Sequence, residues 1–268
     1  MAVVFITGGS SGIGLATAAR LAAAGHQVFC GSRSAASVPL PDGVTPVALD
    51  VGDPGAAESA IRSVTQAAGR LDVLVNNAAT SVLAPLEETA DAEAHRTFEV
   101  NVFGPMRLAR AALPTMRAQH GGRIINVTSV NDIAPAPFGG WYSASKAALA
   151  SLCAVLGAEL QGSGIFVTVV APGLFRTAMS EQLPCCQVAD GSGYAAAFAT
   201  LRDRNAAALE SAGDPDEVAS AIEDCIEADE PPARVVVGAD GTAMEAMIRQ
   251  SSPEDVAKLL REYVAGLG

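Results

Sequence analysis

Three observations predict an α/β protein built on a doubly wound parallel sheet with helices on both faces. Short β-rich apolar runs alternate with longer helical patterns along the 268 residues, and several of those runs are apolar on both faces. The first run passes straight into a glycine-rich turn and then a helix. Strands covered by helices on each side read as continuous apolar stretches, and every parallel pair needs a crossover that a helix supplies. No internal repeat and no Gly/Ser/Pro linker divides the chain, so residues 1–268 are expected to form one domain.

The strands are expected, in order, at Val3–Thr7, Gln27–Gly31, Thr45–Leu49, Val73–Asn76, Arg123–Thr128, Phe166–Ala171 and Val235–Gly238. Gly14–Ala24, Pro54–Ala68, Asn101–Gln119 and Ser143–Gly162 carry helical periodicity between them. Ala178–Ser211 breaks the rhythm: Pro184, the adjacent Cys185-Cys186 and Gly191-Ser192-Gly193 give it the look of a long loop, read as a substrate lid over about 178–211. Asp214-Pro215-Asp216-Glu217 then reads as a helix start, with an acidic cap and proline in the first turn. Ser252-Pro253-Glu254-Asp255 repeats that pattern for a last helix running toward Val264.

Composition removes several classes of function. Half the chain is hydrophobic, enough for one large core. Net charge is −12 with no run of Lys or Arg, which argues against a nucleic-acid partner. No stretch reaches the roughly 18 to 20 uninterrupted apolar residues of a membrane span, and Met1–Ile6 lacks the basic leader of a secretory signal. The five cysteines lack metal-type spacing and read as reduced thiols of a cytoplasmic protein, with no metal site expected. His26, His95 and His120 are scattered and read as surface or helix-end residues.

The glycine-rich turn is Thr7-Gly8-Gly9-Ser10-Ser11-Gly12-Ile13-Gly14. Glycines let the backbone adopt positive φ and approach a ligand with no Cβ in the way. The helix after the turn offers unpaired N–H groups and its positive dipole end to a pyrophosphate. Such a turn can be no more than a tight connection, but a strand before it and a helix after it point to a dinucleotide. Gly8, Ser10, Ser11, Gly12, Ile13 and Gly14 are the candidate contacts. The spacing is Gly-x-x-x-Gly-x-Gly, a longer turn than G-x-G-x-x-G.

Tyr142 and Lys146 stand four residues apart, one helical turn, so phenol and ammonium share a face; Ser129 lies thirteen residues before the tyrosine. A fixed positive charge beside a phenol favours the phenolate, so the expectation is a tyrosine that gives and takes a proton at working pH. Taken alone, such a pair reads equally as a surface neighbour contact, and Ser129 and Asn101 as capping residues.

These fragments in this order resemble the short-chain dehydrogenase/reductase family over essentially the whole chain. Thr7-Gly8-x-x-x-Gly12-x-Gly14 resembles its cofactor turn and Asn76-Asn77-Ala78-Ala79 its strand-four motif. Asn101, Ser129, Tyr142 and Lys146 fall where the family keeps a catalytic tetrad, and Pro172-Gly173 with Thr177 resembles its nicotinamide-side loop. The resemblance implies a Rossmann-type fold and an oxidoreductase that interconverts a ketone or aldehyde with an alcohol by hydride transfer. It implies Tyr142 as general acid and base, Ser129 as hydrogen-bond partner of the reacting oxygen, and Lys146 as binder of the nicotinamide ribose. Asn101, by its side chain or by a helix kink, would hold a water that resupplies protons to Lys146.

Asp50-Val51 is where the family holds the adenine, although Asp50 can equally cap the next helix. Asn77, Ala78 and Ala79 would line a ribose, and Pro172, Gly173, Phe175 and Thr177 would close over the nicotinamide, with Thr177 near its carboxamide. Ser32 stands where an NAD-preferring member carries an acid that repels a 2′-phosphate, and Arg33 offers a planar donor fork. NADP(H) is therefore expected over NAD(H), unless Arg33 only stacks on adenine. Ile133, Pro135, Pro137, Phe138 and Trp141, with Phe175, Met179, Leu183 and Phe198, either pack a core or face the cleft; in the second case the substrate is a lipophilic carbonyl or alcohol. The C-terminal part is similar to members acting on steroid- or retinoid-like compounds. The alternatives are NAD-linked alcohol oxidation and a non-catalytic NADP-sensing regulator. The resemblance also implies a homodimer or homotetramer paired through Asn101–Gln119 and Ser143–Gly162.

Overall fold

The computed structural model describes residues 1–34, 38–182, 188 and 191–268. The expected Leu183, Pro184 and Cys185-Cys186 features lie outside the described residues. Seven parallel strands form the sheet: β1 (Val3–Thr7), β2 (Gln27–Ser32), β3 (Val44–Ala48), β4 (Val73–Asn76), β5 (Gly122–Val127), β6 (Ile165–Pro172) and β7 (Arg234–Val237). All seven expected strands are present, their ends shifted by no more than a residue. The order β3-β2-β1-β4-β5-β6-β7 reverses direction between β1 and β4. At that switch the crossovers diverge to opposite faces and leave a crevice beyond the carboxyl ends of the strands.

The helices are α1 (Gly12–Ala23), α2 (Ala56–Ala68), α3 (Asp91–Phe98), α4 (Gly104–Ala118), α5 (Gly140–Glu159), α6 (Ala178–Gln182), α7 (Ala195–Ala208), α8 (Pro215–Glu227), α9 (Ala239–Gln250) and α10 (Pro253–Ala265). Successive residues of each strand feed opposite cores. Val3 and Phe5 of β1, Leu74 of β4 and Ile124 of β5 meet Ile61 and Val64 of α2 and Leu108 and Met116 of α4. Val4, Ile6, Val73, Val75 and Ile125 point the other way, toward Leu21 of α1 and Val218 and Ile222 of α8. Two-sided burial explains the unbroken apolar runs, and truncating one such residue, Ile124→Ala for instance, costs about 2–5 kcal/mol.

Both acid-and-proline helix starts form as read. Asp214 caps α8 in a reciprocal capping box with Glu217, and Ser252 caps α10 in one with Asp255, each helix carrying proline in its first turn. Ala178–Ser211 is not the expected long loop. It contains α6, the fourteen-residue α7 and a 3₁₀ turn at Leu209–Ser211. Alanine-rich sequence without apolar periodicity hides α7; what anchors it is packing of Phe198 and Leu201 against Leu267, with Leu83 and Phe138 beside them.

Candidate active site

The glycine-rich turn is clamped before any ligand is considered. Gly8 at φ +68° donates its N–H to Gly31 O of β2 at 2.8 Å. Asn77 Nδ2 donates to Thr7 O at 3.0 Å and Gly8 O at 3.3 Å, and Thr7 Oγ1 accepts from the amides of Asn77 and Ala78. The Asn77 side chain thus braces the turn, while Ala78 and Ala79 lie along the crevice wall. A Cβ on Gly14 would stand 2.4 Å from Gly8 O, so the turn closes only on glycine there. Ser11 is the N-cap of α1 but its side chain makes no capping bond, which leaves the first amides of the helix facing the crevice.

Ser32 ends β2 with its Oγ buried and without a hydrogen-bond partner, an orphaned polar atom on the crevice wall. A ribose hydroxyl or phosphate oxygen there would satisfy it. Arg33 is the next residue on the same wall, exposed, with no carboxylate in ion-pair range among the described residues. Asp50 lies at the end of β3 and accepts from Gly52 N at 2.9 Å through Oδ1. It forms the local turn. The same wall continues with Leu49 and Val51.

The residues of the expected tetrad come from three elements. Ser129 comes just after β5 and begins a 3₁₀ turn over Val130–Asp132; Tyr142 and Lys146 lie on the first turns of α5. Lys146 Nζ sits 5.6 Å from the centre of the Tyr142 ring, and the Ser129 hydroxyl stands near enough to the phenol to favour its ionised form. Lys146 is buried and donates to Val127 O at 2.9 Å. Asn101 is buried at the centre of a π-helical turn, Glu99–Phe103, which joins α3 to α4. Its carboxamide is committed: Nδ2 donates to Thr80 O at 2.8 Å and Ser145 Oγ at 3.0 Å, and Oδ1 accepts from Thr80 N at 2.8 Å.

The charge balance corrects one expectation. Burial pushes the Tyr142 phenol up to about 12; the Ser129 hydrogen bond lowers it and Asp132 raises it. Burial likewise brings Lys146 down to about 8, against the raising effect of Asp132 and Cys153. Desolvation dominates, and the phenol holds its proton more tightly than an ordinary tyrosine.

Ser32, Arg33, Ser129, Tyr142 and Lys146 border one cavity of about 820 Å³ that runs from the glycine-rich turn to the C-terminal helices, and Asn101 and Asp132 stand behind its wall. Pro172–Thr177 forms its roof. Gly173 N donates to Val237 O, Leu174 N to Asp240 Oδ2 at 2.7 Å, and Thr177 approaches Gly12 closely enough that a Cβ there would meet it at 3.1 Å. The Phe175 ring is core, wedged under Gly213 and Gly238. Of the residues left between core and cleft, Pro135, Pro137 and Met179 reach the cavity, whereas Ile133, Trp141 and Phe198 do not; Trp141 stacks edge-on to Phe98. Sequence reasoning misses the far wall: Met244, Met247 and Ile248 of α9, and Val256, Leu259, Leu260 and Tyr263 of α10. Their helical spacing is the signal the sequence offers, and it reads equally as ordinary packing.

A family model described as short chain dehydrogenase matches residues 2–185. The chain is 36% identical over 190 residues to the 3-oxoacyl-[acyl-carrier-protein] reductase FabG of Thermotoga maritima, covering 68% of this chain and 77% of that protein. It is 34% identical over 179 residues to the 3-ketodihydrosphingosine reductase of Bacteroides thetaiotaomicron, covering 67% of this chain and 66% of that one. The crystal structure of a short-chain dehydrogenase from Streptomyces avermitilis superposes with a TM-score of 0.79 at 33% identity, covering 98% of this chain and 95% of the other.

Proposed function

Because the chain belongs to the short-chain dehydrogenase/reductase family, we propose that it is an NADP(H)-dependent oxidoreductase interconverting a lipophilic ketone with its secondary alcohol. The observation that carries this reading is the convergence of Ser129, Tyr142 and Lys146 on the cavity that the glycine-rich turn opens. NADP(H), when bound, supplies the hydride. Gly8 and Ser10 through Gly14 would hold its pyrophosphate at the α1 N-terminus, and Asp50, Val51, Ala78 and Ala79 its adenosine half. Ser32 and Arg33 would take the 2′-phosphate, Arg33 as a charged fork with no competing carboxylate among the described residues. Pro172, Gly173 and Thr177 would cover the nicotinamide half, and Lys146 its ribose.

Tyr142 then donates a proton to the carbonyl oxygen during reduction and takes it back during oxidation. Ser129, beside the phenol, holds the same oxygen and stabilises charge as it develops. Lys146 keeps a positive charge beside the phenol and counters the desolvation that raises it. The π turn at Asn101 orients a water toward Lys146, so that protons leave and enter the buried site. The cavity favours an apolar substrate, since Met179, Met244, Met247, Leu259, Leu260 and Tyr263 border its outer half. The names of two relatives fit, each being a reductase of a keto group on an acyl or sphingoid compound.

The test is NADPH and NADH oxidation against aliphatic, aromatic and polycyclic ketones, with Tyr142→Phe and Arg33→Ala alongside. Tyr142→Phe is expected to lose on the order of 10²–10⁴-fold in rate while binding NADPH as before. Arg33→Ala is expected to weaken NADPH roughly tenfold or more and leave NADH nearly unchanged. Equal losses for both cofactors would refute the phosphate role, and undiminished turnover by Tyr142→Phe would refute the proton donor.

A further inference from the structure

Asp132 closes the turn that Ser129 opens, and its side chain is wholly withdrawn from solvent. Its amide donates to Ser129 O at 2.9 Å. Thr128 Oγ1 donates to Oδ2 at 2.8 Å, and Arg234, the first residue of β7, forks onto both oxygens at 2.8 Å each. Arg234 Nε then donates to Glu245 Oε1 of α9 at 2.8 Å, and Arg249 Nη2 reaches the same oxygen at 3.0 Å. A chain of side chains therefore runs from the Ser129 turn through the last strand to the helix that walls the cavity. Asp132, Arg234 and Glu245 themselves do not border the cavity.

A buried ion pair contributes little net stability, because desolvation offsets its attraction, and an apolar pair of equal volume would pack as well. Its position is what gives it a use. The Asp132 carboxylate acts on both Tyr142 and Lys146, raising each. The groups facing those two are few: the Ser129 hydroxyl and Asp132 from the turn, with Arg234 of β7 behind it and Glu245 of α9 behind that. Cys153, buried as a thiol, stands one helix repeat beyond Lys146 on α5. Arg33 and Arg96 lie on the walls of the same cavity.

We propose that Asp132 and Arg234 are a positioning pair for the proton-transfer site. The guanidinium fork holds the Ser129 turn against α5, and by neutralising the carboxylate it keeps an uncompensated negative charge away from Tyr142 and Lys146. The idea rests on Tyr142 and Lys146 as the proton-handling groups of the proposed reaction, and its test reads one of them without substrate or cofactor.

Lys146 and Lys258 are the only lysines, so carbon-13-labelled lysine gives two side-chain signals in the full ligand-free chain, assigned with Lys146→Met. The Lys146 midpoint, expected at about 8 in the unaltered protein, is tracked by NMR against pH. Arg234→Met is expected to raise it by on the order of one pH unit, and Asp132→Asn to lower it by a similar amount. The double variant Asp132→Asn/Arg234→Met, which buries no charge, is expected back near the starting value and serves if either single variant fails to fold. Arg234→Lys retains the charge without the fork; it is expected to keep the midpoint and lower kcat/KM. Loosening of the site alone would expose Lys146 and raise the midpoint in both single variants, so a rise or no change in Asp132→Asn overturns the proposal. So does a double variant whose midpoint stays a unit away from the original. Should the midpoints move as expected while Tyr142→Phe still turns over ketones, the pair stands and the functional reading falls.

Discussion

At the scale of single residues, burial decides the state of the site. Lys146 titrates at about 8 in the folded chain against 10.5 for an ordinary lysine. Between those values the unfolded chain binds more protons than the folded one, so stability rises with pH across that window. Below about pH 8 the cost of burying the ammonium is fully present. Lys146→Met should abolish the rise and stabilise the ligand-free protein at neutral pH by on the order of a few kcal/mol. Urea unfolding at pH 7 and pH 10 checks this, and a variant as pH-dependent as the parent would contradict it. Ser32 makes the same point for a neutral group. An unpaired buried hydroxyl costs about 1–3 kcal/mol, which the fold tolerates at the one edge of β2 where a ligand would relieve it.

At the scale of elements, the far wall of the cavity is the work of α9 and α10. Leu259 and Tyr263 remain 38% and 39% exposed, and Met244 and Met247 about as much, although all four line the cavity. Large apolar side chains in that position lose their water contact only when an apolar molecule fills the space, which contributes about 1.5–3 kcal/mol for each side chain fully covered. Leu259→Ala/Tyr263→Ala should therefore raise KM for a long-chain or polycyclic ketone roughly tenfold or more and leave a short ketone untouched. Steady-state kinetics on both substrates checks it, and equal losses on the two would instead mark α10 as a support for the fold. These helices were partly legible: the Ser252 and Asp214 caps announced α10 and α8, because capping is local chemistry. Nothing local announced α7, whose alanines satisfy helix propensity but give no apolar face until Leu267 and Phe138 come to meet it.

At the scale of the whole molecule, the exposed faces are as informative as the cavity. Phe103 on the π turn and Leu152 and Val155 on α5 are 50%, 38% and 55% exposed, and the two elements pack on one another. They lie on the two segments expected to pair about a two-fold axis, and an apolar patch of this kind fits an isologous contact. A homodimer or homotetramer is the expected state, and Val155→Asp should shift it toward monomer in sedimentation velocity without changing the far-ultraviolet circular dichroism. A monomer before any substitution would refute the pairing. No helix among the described residues is long and apolar enough to cross a membrane.

What the sequence determined by itself is whatever depends on neighbours along the chain. The seven strands and the α/β alternation arise from short-range apolar patterning. The glycine turn arises from backbone sterics at Gly8, Gly12 and Gly14, and the Tyr142–Lys146 face from the helical repeat. Tertiary structure alone decided the rest. It brought Arg234 across 102 residues to Asp132, committed the Asn101 carboxamide to Thr80 and Ser145, and swung α9 and α10 over the cavity. It also reversed the expected direction for Tyr142, because a pKa is set by the dielectric around a group. Chain order says which charges exist, but only packing says how much water is left between them.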